Sequence, residues 1–199
     1  VRRIDPTIQE TLATFEISHV FDSSIFKKID KDEIILNLNY DGLYGINNLN
    51  KLLQISNPAE EITWKQYSFK VGDPVIFNET TRFDGLYNNL KGEIKKIHIS
   101  ENNDINFDIE VDTVLNPLIT YRGFKLLESS NIEKSLISLT VLNSKESDYD
   151  RDTDESNKIP FEIAYAVSIH KAQGLEYDSV KLIITKEAEE KISHNVFYT

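Results

Sequence analysis

Apolar and polar positions along the chain fall into three successive patterns. The first is helical in spacing. Asp5 suits an N-cap with Pro6 in the first helical position, where a missing N–H costs nothing. Ile8, Leu12 and Phe15 follow at i, i+4 and i+7, one apolar stripe that predicts a helix. Glu33–Leu38 is a short apolar run rich in β-branched residues and predicts a buried strand. Asn39-Tyr40-Asp41-Gly42 signals a turn. Leu43, Ile46, Leu49, Leu52 and Leu53 then predict a second helix that ends before Asn57-Pro58. Helix, strand and helix in that order predict an α/β layer with at least one parallel strand.

The pattern changes near Trp64. From Phe69 to about Leu142 the chain consists of strand-sized segments separated by turn residues. Val71-Gly72-Asp73-Pro74 opens one, Asp84-Gly85 and Asn88-Asn89 punctuate the next, and Glu101-Asn102-Asn103-Asp104 turns the chain again. Ile105, Phe107, Ile109 and Val111 alternate strictly with Asn106, Asp108 and Glu110, the mark of a half-buried antiparallel strand. Several such segments in about 70 residues predict a small antiparallel barrel. Ser144–Lys158 is hydrophilic without periodicity and predicts an exposed loop. Beyond it, Phe161–Ser168 and Ser179–Thr185 predict strands, and Glu187 onward a helix. The expected organisation is an α/β domain split into 1–66 and 159–199, with a barrel at 67–143 and an acidic loop at 144–158.

Composition narrows the classes. The chain has 199 residues and 40% hydrophobic content, enough for a packed core. It has no Cys, which excludes disulfide scaffolds, cysteine nucleophiles and thiolate metal sites. Asp148, Asp150, Asp152 and Asp154 alternate, but the turn glycine and closing glutamate of a calcium loop do not fall in place, so a solvated linker is expected. No run approaches ~18 apolar residues and the first residues lack a signal-peptide core, so the expectation is a cytoplasmic protein without a membrane span. Val1 in place of an initiating Met, and the apolar run Val196-Phe197-Tyr198 near Thr199, lead to the expectation of a piece of a longer chain. The net charge of −11 argues against strong non-specific nucleic-acid binding, which depends on Lys and Arg neutralising phosphates.

The most informative segment runs from Ala164 to Val180. Ser168 and His170 stand at the end of a predicted strand, and in open α/β sheets the carboxyl edge is where ligands bind. Ser168, His170 and Lys171 are donors suited to phosphate oxygens. Gly174 permits close backbone approach, and Glu176 can accept hydrogen bonds from a sugar hydroxyl. By spacing alone this is a polar strand-to-helix junction.

Ser168-Ile169-His170-Lys171-Ala172-Gln173-Gly174-Leu175-Glu176 resembles motif V and its extension in superfamily 1 helicases of the UvrD/RecD type, Thr/Ser-x-His-Lys/Arg-x-Gln-Gly-x-Glu. The aromatic Tyr177 and the apolar Val180–Ile184 fit the continuation, and His194–Thr199 resembles the start of motif VI. Val1–Asp5 is similar to motif IV, with Arg2 at the phosphate-contacting position and Arg3 where the family has Gln. Val71-Gly72-Asp73-Pro74-Val75 resembles the opening of the SH3-like barrel inserted in RecD-type motors, and Tyr87–Ile94 its later turn, with one glycine replaced.

The resemblance implies a RecA-like (P-loop NTPase-type) second motor domain interrupted by an SH3-like barrel, within an ATP-dependent DNA helicase. It implies ATP and Mg²⁺ held mainly by an N-terminal RecA-like domain of the same parent chain. The pattern Gly-x-x-x-x-Gly-Lys-Ser/Thr of that domain does not occur in these residues. By position, Ser168, His170 and Lys171 would contact single-stranded DNA, with RNA a lesser alternative. Gln173, Gly174, Glu176 and Arg2 would face the nucleotide, Glu176 at the ribose. No catalytic residue is assigned, and this chain alone is expected to be inactive. Trp64, Tyr67, Phe83, Tyr87 and Tyr121 are candidate base-stacking aromatics or core residues, and Arg82, Lys91, Lys95 and Lys96 a basic cluster or a solvated face. The competing reading is a non-hydrolysing protein-interaction or regulatory module, which the acidic charge favours.

Overall fold

The structure, a computed structural model, describes residues 32–42, 44–78, 82–143 and 157–183. The expected helix around Ile8–Phe15, Arg2, residues 144–156, the expected helix from Glu187 and the His194–Thr199 segment lie outside the described residues. The chain divides into two compact units, Val1–Ser56 with Ala166–Thr199, and Asn57–Tyr165.

In the first unit, β1 (Glu33–Asn37) is, among the described residues, the central strand of a three-stranded sheet, flanked by β10 (Ala166–Ser168) and β11 (Ser179–Leu182). Both pairings are parallel: Leu36 lies opposite Val167 and Leu182, and Asn37 opposite Ser168. Consecutive Ile34 and Ile35 are both buried, as expected of a strand covered on two faces. The expected second helix forms as α1 (Ile46–Ile55), burying Ile46, Leu49 and Leu53. Lys181 of β11 pairs with Glu33 of β1 at 2.8 Å, both largely shielded from solvent.

The second unit is an antiparallel sheet with a separate hairpin. The hairpin joins β2 (Glu61–Trp64) to β3 (Tyr67–Lys70). The sheet has six strands in the order β7 (Phe124–Leu127), β8 (Ser135–Val141), β6 (Ile105–Val111), β5 (Lys91–Ile99), β4 (Pro74–Phe77), β9 (Phe161–Ile163). The second unit contains the stretch 67–143 together with β2 and β9. The period-2 segment is β6, with Ile105, Phe107, Ile109 and Val111 fully buried and the intervening residues half-buried.

In β5 the inward residues Ile94 and Ile97 are three apart, which a regular strand cannot accommodate on one face. Ile94 pairs with Ile109 and Lys96 with Asp108, so Lys95 is an extra residue in a β-bulge. Trp64 and Phe69 of the hairpin share one core with the sheet. Phe69 and Phe161 each meet Phe107 edge-on with ring centres 5.0 Å apart.

Two expectations are corrected. The segment expected to be a small SH3-like barrel is an open sheet: β7 and β9 are its two ends, and among the described residues no pairing joins them. The vacant side of β4 is taken by β9, which arrives from beyond the acidic tract rather than from the neighbouring strands. Phe161–Ser168, expected as one strand, is two. β9 pairs antiparallel with β4 and β10 parallel with β1, and the ladder breaks at Ala164-Tyr165. Among the described residues no helix is long and apolar enough to cross a membrane.

Candidate functional site

β10 ends at Ser168, on the carboxyl edge of the parallel sheet, beside the end of β1 at Asn37. Ser168 is the N-cap of a single helical turn, α2 (Ile169–Ala172). Its backbone is extended and its Oγ accepts a hydrogen bond from the Lys171 N–H at 3.3 Å, which turns the chain from strand into helix. Ile169 points into the core, so the next residue, His170, is held out in solvent. Lys171 is half-buried, and burial lowers its pKa.

The turn ends at Gln173. Gly174 follows with φ +80°, a left-handed conformation that a side chain would strain, in otherwise open space. The Leu175 N–H donates to the Ala172 carbonyl at 3.0 Å and closes the turn. Glu176 is exposed before the chain re-enters the sheet at β11. Ser168, His170, Lys171, Gln173, Gly174 and Glu176 therefore lie on one continuous connection between two parallel strands. Ser168 is 5% exposed and acts within the chain as a cap, whereas His170, Gln173 and Glu176 face solvent. Arg2 lies outside the described residues.

Three residues at this edge escaped the sequence reading. Asn37 is fully buried at the end of β1; its amide donates to the Tyr44 carbonyl and accepts from the Asn39 N–H at 3.0 Å, shaping the β1–α1 connection. Burial pushes the Tyr44 pKa up to about 12. Asn50 of α1 bonds both backbone groups of Ala166, donating to its carbonyl at 3.0 Å and accepting from its N–H at 2.7 Å. The available signal was positional. Asn50 stands on the apolar stripe of its helix, between Leu49 and Leu53 and at i+4 from Ile46.

In the second unit the aromatic candidates separate by burial. Trp64 and Phe83 are core residues, and the Trp64 indole donates to the Asn103 carbonyl at 2.7 Å. Tyr121 stacks on Phe124 at 5.1 Å. Tyr67 and Tyr87 are exposed. The basic cluster is largely paired with carboxylates: Lys91 with Asp112 at 3.5 Å, and Lys95 with Glu93 at 2.9 Å and Glu110 at 3.6 Å. Arg82 lies over the Phe83 ring and donates to the Thr140 carbonyl. Among the described residues no group of three or more acidic or histidine side chains is placed to hold a metal ion.

No family model matches the chain. The RecBCD enzyme subunit RecD of Buchnera aphidicola subsp. Schizaphis graminum is 21% identical to it over 177 residues, 86% of this chain. The chain resembles superfamily 1 helicases. It spans 23% of the length of that RecD relative. Among solved structures, the Pif1 helicase of Candida albicans overlaps 98% of this chain and 56% of its own, at 12% identity and a TM-score of 0.41. Bacteroides Pif1 bound to single-stranded DNA overlaps 94% of this chain and 44% of its own, at 15% identity and a TM-score of 0.40.

Proposed function

We propose that these residues form the second RecA-like motor domain of an ATP-dependent superfamily 1 helicase that couples ATP hydrolysis to movement along single-stranded DNA. The observation that carries the reading is the connection from Ser168 to Glu176. Its residues match the helicase pattern position by position, and it leaves a parallel sheet at the carboxyl edge, where ligands of such sheets bind. The sequence similarity to RecD over most of the chain supports it.

Within that reading, His170 and Lys171 hold the phosphates of a single strand, and Ser168 shapes the turn that presents them. Gln173 and Gly174 link this contact to the nucleotide side, where Glu176 accepts from the ribose hydroxyls of ATP. Phosphoryl transfer to water depends on Mg²⁺ and on cationic groups around the phosphates. The phosphate loop comes from the first motor domain of the longer parent protein, so the 199 residues by themselves hydrolyse no ATP.

The parent protein tests this directly. Its ATP hydrolysis should rise strongly on adding a single-stranded oligodeoxynucleotide, and Glu176→Ala should raise the KM for ATP. A folded, ATP-binding parent whose hydrolysis ignores the oligonucleotide would remove the motor reading. The second unit offers less to a nucleic acid, and contact with a protein is the alternative reading for it. Its Lys91 and Lys95 are occupied by carboxylates and offer phosphates little.

A further inference from the structure

We infer that Asn50 is a positioning residue for the His170–Lys171 contact, acting through the backbone of Ala166; this rests on the motor reading above. β10 is only three residues long and, among the described residues, pairs with β1 alone, as an edge strand does. Such a strand is weakly fixed, because its outer N–H and C=O have no neighbouring strand. Asn50 takes the place of that neighbour. One side-chain amide accepts from the Ala166 N–H at 2.7 Å and donates to its carbonyl at 3.0 Å, the exchange a paired strand would make.

Ala166 is two residues before Ser168, and Ser168 sets the start of the turn that carries His170 and Lys171. A shift of Ala166 along or away from β1 therefore moves the cap and the His170–Lys171 turn it starts, whereas Glu176 lies next to β11, where the Asp178 N–H is tied to the Asp32 carbonyl at 2.9 Å. An amide is the side chain that can do this at such a length. Asp offers only acceptors, and Leu, which would suit the apolar stripe better, offers neither partner. Keeping a polar residue on the buried stripe of α1 has a local cost that this pair of bonds offsets.

The test uses the parent protein with Asn50→Ala, Asn50→Leu and Asn50→Asp. The concentration of single-stranded oligodeoxynucleotide that half-saturates ATPase stimulation should rise about tenfold in Asn50→Ala and Asn50→Leu, and at least as much in Asn50→Asp, whose second carboxylate oxygen would face the Ala166 carbonyl. The KM for ATP should stay at the wild-type value. Amide hydrogen exchange, read without DNA, should quicken at Ala166–Lys171 and remain unchanged in β6. Unchanged half-saturation in Asn50→Ala, or an equal rise in half-saturation and in the KM for ATP, overturns the positioning role while leaving the motor reading intact. If wild-type parent shows no stimulation, the motor reading fails instead, and the positioning role falls with it.

Discussion

The Tyr165 hydroxyl donates a 2.8 Å hydrogen bond to Asp73 Oδ1, joining residues 92 positions apart. Asp73 is fully buried and also accepts from the Asn57 amide at 2.9 Å and from the Lys70 N–H at 2.8 Å. Asn57 and Tyr165 are the first and last residues of the second unit. One carboxylate thus holds together the two points at which the chain joins that unit. Asp73→Ala should cost roughly 3 kcal/mol, because it removes charge-assisted bonds and strands their donors. Tyr165→Phe, which removes this bond and a longer one of 3.4 Å accepted from the Asn57 amide, should cost about half as much. Denaturant unfolding followed through Trp64 fluorescence reads both, and a loss under about 0.5 kcal/mol in Asp73→Ala would show that Asp73 holds nothing.

The same contact predicts a pH response. Burial and the neighbouring Asp73 charge raise the Tyr165 pKa above its ordinary 10.0. A raised folded-state pKa contributes stability that is whole below about pH 10 and is lost as pH climbs through the folded value. Between about pH 9 and about pH 11, Tyr165→Phe should therefore lose less melting temperature than wild type. Tyr44, raised to about 12, keeps part of the slope in both proteins. Parallel losses in the two proteins would contradict the assignment.

Much of this architecture was legible in the sequence, for local reasons. β6 is readable because four inward residues alternate without interruption, and β1 because Ile34 and Ile35 sit in a short β-branched run. Sheet closure was not readable. Whether β7 or β9 occupies the side of β4 depends on a partner about 85 residues away in sequence, which no turn signal encodes. The break at Ala164-Tyr165 is hidden for the same reason: nothing local says that a strand changes sheets. In the site, Ser168–Glu176 was recognisable as a pattern, whereas Asn37 and Asn50 were not. Their partners are backbone groups, which leave no mark on residue choice elsewhere.

Lys95 gives a third prediction. Glu93 and Glu110 lie directly opposite each other on β5 and β6, a destabilising like-charge pair. The bulge residue Lys95 bridges both carboxylates. Burial alone would lower the Lys95 pKa, but the hydrogen bonds and charges of the two glutamates outweigh it and the net shift is upward. Lys95→Ala should destabilise by about 0.5–1 kcal/mol, limited by partial exposure, and adding Glu110→Gln should recover most of it. A double variant no more stable than Lys95→Ala would show that the bridge is incidental.

Trp64 supplies a fourth. It is the single tryptophan, 2% exposed, with its indole N–H bonded to Asn103. Acrylamide should quench its fluorescence only weakly, and a single-stranded oligonucleotide bound to the parent protein, read with the other tryptophans of the parent replaced, should leave it unchanged. Strong quenching by the oligonucleotide would mean that a base stacks on Trp64 after the core has opened.

The most direct measurement is oligonucleotide-stimulated ATP hydrolysis by the parent protein carrying His170→Ala. His170 is exposed, so the substitution should leave folding intact, as unchanged Trp64 fluorescence will show. The account expects basal hydrolysis to persist and stimulation by single-stranded DNA to fall by at least about tenfold, as for loss of a phosphate-holding group. Full stimulation at wild-type oligonucleotide concentrations would contradict it.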